Sequence, residues 1–281
     1  MSAPRLRWLV AAIAAAMVGC ETRTSPPDAA VAGGDAAGDL AGVRIVSLSP
    51  ALTHAAQALG AGSAIVGCTP WCRAERAAVV GTFEDRNLEA IVALRPTLVL
   101  RQSTADDEGL ARAVAGAARF ERTLNSLDDV RAMVPALADA LAAQGIDGAP
   151  AAATRVAADH AAAMAVELQT RGPVLFLFGT EPPAAFGHGT FIDGLWTGMG
   201  GRNAVARPGY PELSAEDVVR MRPEAIVVVG TAAVPGWLRD VATVVPLDAP
   251  CLLEPSTAML VDGPRALASA DRTIAAGAAS R

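Results

Sequence analysis

Short apolar segments alternate with helical patterns along the chain from residue 43 onward, and this alternation limits the possible folds more than any other feature of the sequence. It begins with "VRIVSLSP", a strand of buried type, which leads into "ALTHAAQALG". Ser49 and Pro50 favour a helix start, and Gly60 favours its end. Strands that alternate with helices pair in parallel, so the sequence predicts an α/β fold with helices on both faces of its sheets.

The same alternation continues through both halves of the chain. In the first half we expect strands over "AIVGC", "TLVLR" and "RFERTL", and helices over "NLEAIVAL", "DDEGLARAVAGA" and "LDDVRAMVPALADALAAQ". In the second half we expect strands over "PVLFLFG", "EAIVVVG" and "ATVVPLD", and helices over "FIDGLWTGMGG", "AEDVVRM" and "GPRALASADRTIAAGAA". The pattern predicts two α/β lobes, one over residues 43–147 and one over residues 172–281.

A long helical pattern separates the two lobes. Residues 148–171 include "PAAATRVAADHAAAMAVELQT", which has proline in its first turn, no internal glycine and strong helix formers throughout. Its apolar stripe is thin and consists of Val156, Ala163 and Val166, so the polar remainder would face solvent in a helix that bridges two lobes. One more packed helix within a single large domain is the alternative.

One short segment occurs twice: "NLEAIVALRP" at residues 87–96 returns as "SAEDVVRMRP" 127 positions later. In each copy an N-cap residue places a glutamate, Glu89 or Glu216, at the second helical position, where the helix dipole favours an acid. In the second copy Asp217 has the capping-box position, which leaves Glu216 to point outward. In each copy a proline ends the helix, and we expect it to force the preceding arginine into extended backbone. Dipole stabilisation alone does not explain why the glutamate recurs in both lobes.

The first residues have the pattern of an export signal. Two arginines precede "WLVAAIAAAMV", an apolar run too short to span a bilayer comfortably, and "MVGC" ends it. This resembles a bacterial lipoprotein signal, which implies a signal peptide over residues 1–19 and lipidation at Cys20. Residues 20–42 are rich in Pro, Gly, Ala and Asp without periodicity, so we expect a flexible tether. An ordinary cleaved signal and a short membrane anchor are the alternatives.

The charge pattern excludes nucleic acid as a natural partner. The net charge is −6, every basic residue is arginine, and the arginines form no basic block. We therefore expect an exported, acidic protein that a lipid holds at a membrane surface.

Three cysteines follow the predicted lipidation site, in a compartment that permits disulfides. The spacing of Cys68 and Cys72 in "CTPWC" is not a zinc pattern, because no second Cys or His pair accompanies it. A Cys68–Cys72 disulfide, buried inert thiols, and coordination of a ligand metal all remain open, and Cys251 has no assigned partner.

The order of several motifs resembles a known family over residues 43 to about 278. "RIVSLSPALTHAAQALG", "NLEAIVALRPTLVL", "GGRN", "LSAEDVVRMRPEAIVVV" and "GPR" are similar to the cobalamin and iron-siderophore binding proteins of bacterial ABC importers. The resemblance implies a class III periplasmic binding protein, in which one long backbone helix joins two Rossmann-like lobes and ligand binds in the cleft between them. It implies a monomer without enzymatic activity or cofactor, in which Glu89 and Glu216 dock on the permease of a permease–ATPase complex.

The resemblance also suggests which residues contact the ligand. Trp71, Phe83 and Tyr210 fall at positions similar to the aromatic wall that contacts the corrin in cobalamin-binding members, although partial core packing is the alternative for each. Gln102 occupies a position where the cobalamin pattern has tryptophan, and this makes the wall more polar. Asp248, at the end of "VVPLD", is a further pocket candidate. The expected ligand is a metal chelate, cobalamin or another corrinoid, with heme or a ferric siderophore as the alternative.

Two other functional classes find little support. An α/β enzyme would need a catalytic motif, and the chain has no G-x-S-x-G, GxGxxG, P-loop or HExxH pattern. A zinc or manganese receptor would need several His and acidic ligands around one ion, whereas His54, His160 and His188 are few and far apart. His54 replaces an acid that is usual in the family, and a histidine on a helix is ordinarily a surface or capping residue.

Overall fold

The computed structural model describes residues 42–74, 76–82, 85–103, 105 and 107–279. The predicted signal peptide, Cys20, nearly all of the predicted tether, and Phe83 lie outside these residues. Within them, no helix combines the length and the apolar composition needed to cross a bilayer. The described residues from Gly42 onward form one compact unit.

Strands and helices alternate as the sequence pattern predicts. The strands are β1 (Ile45–Ser47), β2 (Ile65–Cys68), β3 (Ala78–Val79), β4 (Leu98–Arg101), β5 (Ala118–Glu121), β6 (Pro173–Thr180), β7 (Pro183–Ala185), β8 (Arg202–Asn203), β9 (Ala225–Val229) and β10 (Thr243–Leu247). The helices are α1 (Pro50–Ala58), α2 (Leu88–Ala93), α3 (Glu108–Ala113), α4 (Leu127–Ala142), α5 (Ala149–Met164), α6 (Phe191–Gly198), α7 (Ala215–Met221), α8 (Gly236–Val241) and α9 (Thr257–Ala279).

The strands form two sheets, one on each side of α5 in the sequence. The first sheet has the order β3-β2-β1-β4-β5, and all its pairs are parallel. The second has the order β10-β9-β6-β7, in which β7 is antiparallel, and β8 adds a short parallel pairing to β6. Parallel strands end at the same edge of a sheet, so each sheet presents one edge of loops that follow its strands.

A single apolar core connects the two sheets. Strand residues alternate between two faces, so Ile45 of β1 and Phe176 of β6 both enter this main core, together with residues of α1, α4, α6 and α9. Val46 and Leu175, one position away, enter two smaller outer cores, one on each sheet. Helices α2 and α3 cover the outer face of the first sheet, and α7 and α8 cover that of the second.

The linking helix is shorter and more buried than the sequence suggests. It was expected over residues 148–171 but spans Ala149–Met164, and in the segment after it the backbone amides of Gln169 and Thr170 donate to the carboxylate of Asp271 at 2.8 and 2.9 Å. These amides are therefore not available for helical hydrogen bonds. One face of the helix packs against α4 and α9, while Val166 of the expected apolar stripe is exposed.

Some elements were absent from the sequence prediction. Strands β3, β7 and β8 have only two or three residues, too few to show a period of two. The six-residue helix α8 was missed for the same reason, and α9 begins at Thr257 rather than at Gly263. The expected order of the longer elements is otherwise observed, and the strands of the two sheets fall within the two lobes predicted from the sequence.

Candidate functional site

The loops after β1 and β4 meet at the edge of the first sheet. Ser49 Oγ donates a hydrogen bond to Gln102 Oε1 at 2.9 Å and accepts one from the backbone amide of Leu52 at 3.3 Å, so it also caps α1. Gln102 is half-buried, and its carbonyl oxygen is occupied by this bond. Its amide nitrogen is the part of the side chain left to offer hydrogen bonds at this edge.

Trp71 extends from the neighbouring loop, which follows β2. Its side chain is 44% exposed, a large value for an aromatic ring of this size. The turn that carries it is closed by a hydrogen bond from the amide of Cys72 to the carbonyl of Thr69 at 3.1 Å. An indole held on a closed turn at a strand end is a preorganised apolar surface.

The cysteines of this loop are free thiols, so the Cys68–Cys72 disulfide left open by the sequence is not formed. Cys72 Sγ lies 3.1 Å from the hydroxyl oxygens of both Thr53 and Thr69. Burial, and secondarily the adjacent Cys72, raise the pKa of Cys68 to about 11. Cys251 is also a free thiol, and burial raises its pKa, so neither Cys68 nor Cys251 favours the thiolate form that binds metals.

Tyr210 belongs to an aromatic cluster in the second lobe. Its ring centroid lies 5.8 to 6.1 Å from those of Phe178, Phe186 and Phe191, mostly edge to face. Tyr210 follows Pro208 and Gly209, residues typical of an exposed loop, but the structure shows it half-buried, and burial raises the pKa of its hydroxyl. The hydroxyl is therefore neutral at ordinary pH.

Phe178 is the aromatic residue that sequence reasoning missed. It lies near the carboxyl end of β6, is half-buried, and contacts both Phe186 (5.0 Å between centroids) and Tyr210 (6.0 Å). The segment "PVLFLFG" places Phe176 and Phe178 on one face of the strand. Only Phe178 is near the strand end where ligands bind in such sheets, and this position was the available signal.

Asp248 and Arg101 are polar residues near strand ends that differ in exposure and in ion pairing. Asp248 directly follows β10 and is exposed, as a pocket residue at a strand end can be. Arg101, the last residue of β4 and the neighbour of Gln102, is 3% exposed and pairs with Glu121 at 3.0 Å and Asp107 at 3.8 Å. These ion pairs occupy the guanidinium, so Arg101 holds neighbouring loops and is not a ligand contact.

Polar residues also connect the two lobes. His54 Nδ1 lies 2.9 Å from the hydroxyl oxygen of Thr257, so the histidine links α1 of the first lobe to α9 of the second. Burial lowers the pKa of His54; nearby Asp262 opposes this effect, and Arg73 adds to it. Burial also raises the pKa of Glu254, and the nearby positive charge of Arg73 partly offsets this rise. His54 is therefore a contact between lobes.

The other two histidines have different partners. The His160 ring lies between α4, α5 and α9, where Nδ1 donates to the carbonyl of Leu260 at 2.7 Å and Nε2 accepts from Arg131 Nε at 3.0 Å. His188 is largely exposed and its Nδ1 lies 3.2 Å from Asp193 Oδ2. Among the described residues, no three His, Cys, Asp or Glu side chains form a group that would hold a metal ion.

The duplicated glutamates lie where the caps predict. Asn87 accepts a hydrogen bond from the third residue of α2, and Ser214 forms a capping box with Asp217 at the start of α7. Glu89 and Glu216 are consequently the second residue of each helix, and both are exposed.

The arginine before each proline does not have the extended backbone expected from the sequence. Arg95 and Arg222 both have φ of +46°, in the left-handed region. Their amides donate to the carbonyls of Val92 at 2.9 Å and Val219 at 3.2 Å, which closes the end of each helix. This helix-ending hydrogen bond overrides the preference that proline imposes on its predecessor.

Comparisons with known proteins agree with this architecture. A sequence model described as "Periplasmic binding protein" matches residues 45–240. The "Vitamin B12-binding protein" of Salmonella paratyphi A is 31% identical over 202 residues, which cover 67% of this chain and 73% of that protein. The apo periplasmic heme-binding protein RhuT from Roseiflexus sp. RS-1 is 26% identical with a TM-score of 0.63, covering 82% of this chain and 99% of that one. The vitamin B12 binding protein BtuF of Vibrio cholerae shares the fold. It is 19% identical with a TM-score of 0.60, covering 82% of this chain and 97% of that one.

Proposed function

Because this chain belongs to the periplasmic binding protein family, we propose that it is the lipid-anchored receptor of an ABC importer, which captures a metal chelate, a corrinoid, in the cleft between its lobes. Proteins of this family are extracytoplasmic, bind substrates for transport and are not enzymes, so the enzymatic alternative is excluded. The receptor acts as a monomer, is anchored through Cys20, and delivers its ligand to the permease–ATPase complex.

The observation that carries this proposal is a pair of aromatic surfaces at the strand ends of the two sheets. Trp71 supplies an exposed indole from the first lobe, and Phe178 with Tyr210 supplies a half-buried aromatic edge from the second. Phe83, which lies outside the described residues, stays a proposed ligand contact from the resemblance alone. Flat apolar walls with few polar groups suit a large planar chelate, and Gln102 and Asp248 supply the polar contacts that orient it.

Heme is the second candidate ligand, and His188 is the observation that favours it. The backbone of His188 pairs with Arg207 and Gly209, directly beside Tyr210. Its Nδ1 faces Asp193, whose carboxylate also accepts hydrogen bonds from Gly189 N and from the side chain of Asn203. A histidine anchored in this way keeps its second ring nitrogen free to bind the metal of a chelate.

Glu89 and Glu216 are the proposed permease-docking residues, one on each lobe. Both are exposed and held by capped helices, and neither side chain has an ion pair within the described residues. Unpaired carboxylates in fixed positions can form charge-assisted bonds with arginines of a permease.

A binding experiment tests the ligand assignment. The purified mature protein is titrated by calorimetry with cyanocobalamin, cobinamide, hemin and ferric desferrioxamine. We expect saturable binding of a corrinoid, with affinity reduced roughly tenfold to a hundredfold in Trp71→Ala and Phe178→Ala, since a stacked aromatic ring contributes about 1.4 to 3 kcal/mol. Trp237→Ala is the matched control, because Trp237 lies on the outer helix α8.

The same titration separates the two candidates. Tighter binding of hemin than of the corrinoids, with an absorption spectrum that changes in His188→Ala, would assign heme instead. The absence of saturable binding to all four compounds would contradict the assignment of a metal chelate.

A further inference from the structure

Two independent properties of the molecule lead to the same duplicated segment. Among the described residues, the large apolar side chains that are exposed are Trp71, Val79, Val92, Val166 and Val219. The non-glycine residues with positive φ in the same part of the chain are Arg95 and Arg222. Val92 and Val219, like the two arginines, are equivalent positions of the duplicated segment, 127 residues apart.

The valines share a helix face with the duplicated glutamates. Val92 is three residues after Glu89 on α2, and Val219 is three residues after Glu216 on α7, a spacing that places the two side chains of each pair side by side. The valines are 46% and 56% exposed. A single exposed valine is ordinary, but the same exposure at the same position of both copies points to a shared cause.

The inward side of each helix explains why its position is fixed. Ile91 and Val218 are fully buried in the outer cores of the first and second sheet, at equivalent positions of the two copies. Burial of this side forces the adjacent valine outward and holds it in place. Each helix therefore presents a rigid apolar side chain beside a carboxylate.

The arginines retain a backbone conformation that favours glycine. A left-handed φ is unfavourable for a residue with a Cβ, and glycine is the usual residue at such a helix end. Both arginine side chains are exposed and form no ion pair with any described residue. Strain kept at equivalent exposed positions in two lobes indicates a use for the side chain.

We propose that Glu89, Val92 and Arg95 form one docking strip, that Glu216, Val219 and Arg222 form a second, and that the two strips bind equivalent subunits of the membrane permease. This rests on the proposed function as an importer receptor, and it extends docking from a single glutamate per lobe to a strip with an acidic, an apolar and a basic side chain.

The duplication and the charges identify the occupant. Two equal strips on one chain fit a partner that presents two copies of one surface, as a symmetric pair of permease subunits does. Each copy of that surface must offer a basic group to the glutamate, an apolar socket to the valine and an acidic group to the arginine.

The test measures how much permease each variant retains. The full chain and its variants are produced in the host in place of the native copy, extracted from membranes with a mild detergent, isolated, and assayed by mass spectrometry for a multi-spanning permease subunit. We expect Glu89→Arg, Glu216→Arg, Val92→Glu and Val219→Glu each to reduce the permease signal about tenfold or more, because each buries an unpaired charge at the interface. Val166→Glu, at an exposed valine outside both strips, retains the wild-type signal.

Variants of the two arginines distinguish a docking role from a structural one. Arg95→Gly and Arg222→Gly relieve the left-handed strain, so we expect the Tm to stay constant or rise by about 2 °C while the permease signal falls several-fold. If these variants retain the full permease signal, the arginines do not take part in docking.

The outcomes separate this inference from the proposed function. If the glutamate variants lose the permease and the valine variants do not, the strips are wrong and docking through glutamates stands. If even the wild-type protein retains no permease, both the docking strips and docking through the glutamates are wrong. If the variants behave as expected but calorimetry finds no chelate, the ligand assignment alone fails.

Discussion

Ser49 has several structural roles at the candidate site. Its hydroxyl caps α1 and donates to Gln102, and its carbonyl accepts hydrogen bonds from the amide and the hydroxyl of Thr53, both at 2.9 Å. One buried side chain therefore joins the loop after β1 to the loop after β4. The orientation of Gln102, a candidate ligand contact, depends on this bond.

Replacing Ser49 tests this dependence. We expect Ser49→Ala to lower the free energy of unfolding by about 1 to 2 kcal/mol, since it removes a helix cap and leaves the Gln102 oxygen without its donor. Urea unfolding followed by circular dichroism measures the change. Ser63→Ala, at an exposed serine, should leave the unfolding midpoint unchanged, and an equal midpoint for Ser49→Ala would refute the role of the cap.

At the scale of elements, Asp271 holds the segment that follows the linking helix. This aspartate lies on α9, is 2% exposed, and accepts hydrogen bonds from two successive backbone amides that follow α5. It thereby connects the end of the linking helix to the last helix of the chain. Helix propensity favours a helix through residues 165–171, but the two charge-assisted bonds keep Gln169 and Thr170 non-helical, and each is stronger than a propensity of a few tenths of a kcal/mol per residue.

Asp271→Ala is expected to lower the free energy of unfolding by about 2 to 4 kcal/mol, because two amides lose their acceptor in a buried setting. Asp271→Asn keeps one acceptor oxygen and should lie between the variant and the wild type. Thermal and urea unfolding measure the series, with Asp159→Ala, an exposed aspartate on α5, as control. An Asp271→Ala protein as stable as the control would show that these two hydrogen bonds do not stabilise the junction after α5.

At the scale of the whole molecule, one core holds both sheets. Apolar residues of the first sheet, such as Ile45 and Leu98, and of the second, such as Phe176 and Val227, belong to the same buried cluster. Helices α4, α5 and α9 pack on one another within this region. Because both sheets contribute to this core, unfolding of one lobe would expose apolar surface of the other lobe.

We therefore expect the two lobes to unfold together. Differential scanning calorimetry of the mature protein should give one transition, with tryptophan fluorescence and far-ultraviolet circular dichroism changing at the same temperature. Asp271→Ala should move all three signals by the same amount. Two resolved transitions, or a shift confined to one signal, would show that the lobes are independent domains.

Local patterns were sufficient for the features that depend on a few neighbouring residues. These features are the order of strands and helices, the caps at Ser49, Asn87 and Ser214, and the exposed glutamates. They follow from hydrogen bonds between near neighbours and from the hydrophobic period, and both signals can be read within about ten consecutive residues. The duplication, and the family to which the chain belongs, were also visible without coordinates.

Contacts between distant residues decided the rest. The path of the segment after α5 depends on a carboxylate about a hundred positions away, and the half-buried setting of Tyr210 depends on Phe178, Phe186 and Phe191 from other elements. The left-handed arginines show a competition in which proline favours one backbone conformation and the helix-ending hydrogen bond favours another. The sequence by itself determined an α/β chain with a duplicated surface segment, because those signals are local. Only the tertiary structure decided that the valines and the left-handed arginines of that segment face outward beside the glutamates, since burial of Ile91 and Val218 depends on the sheets beneath them.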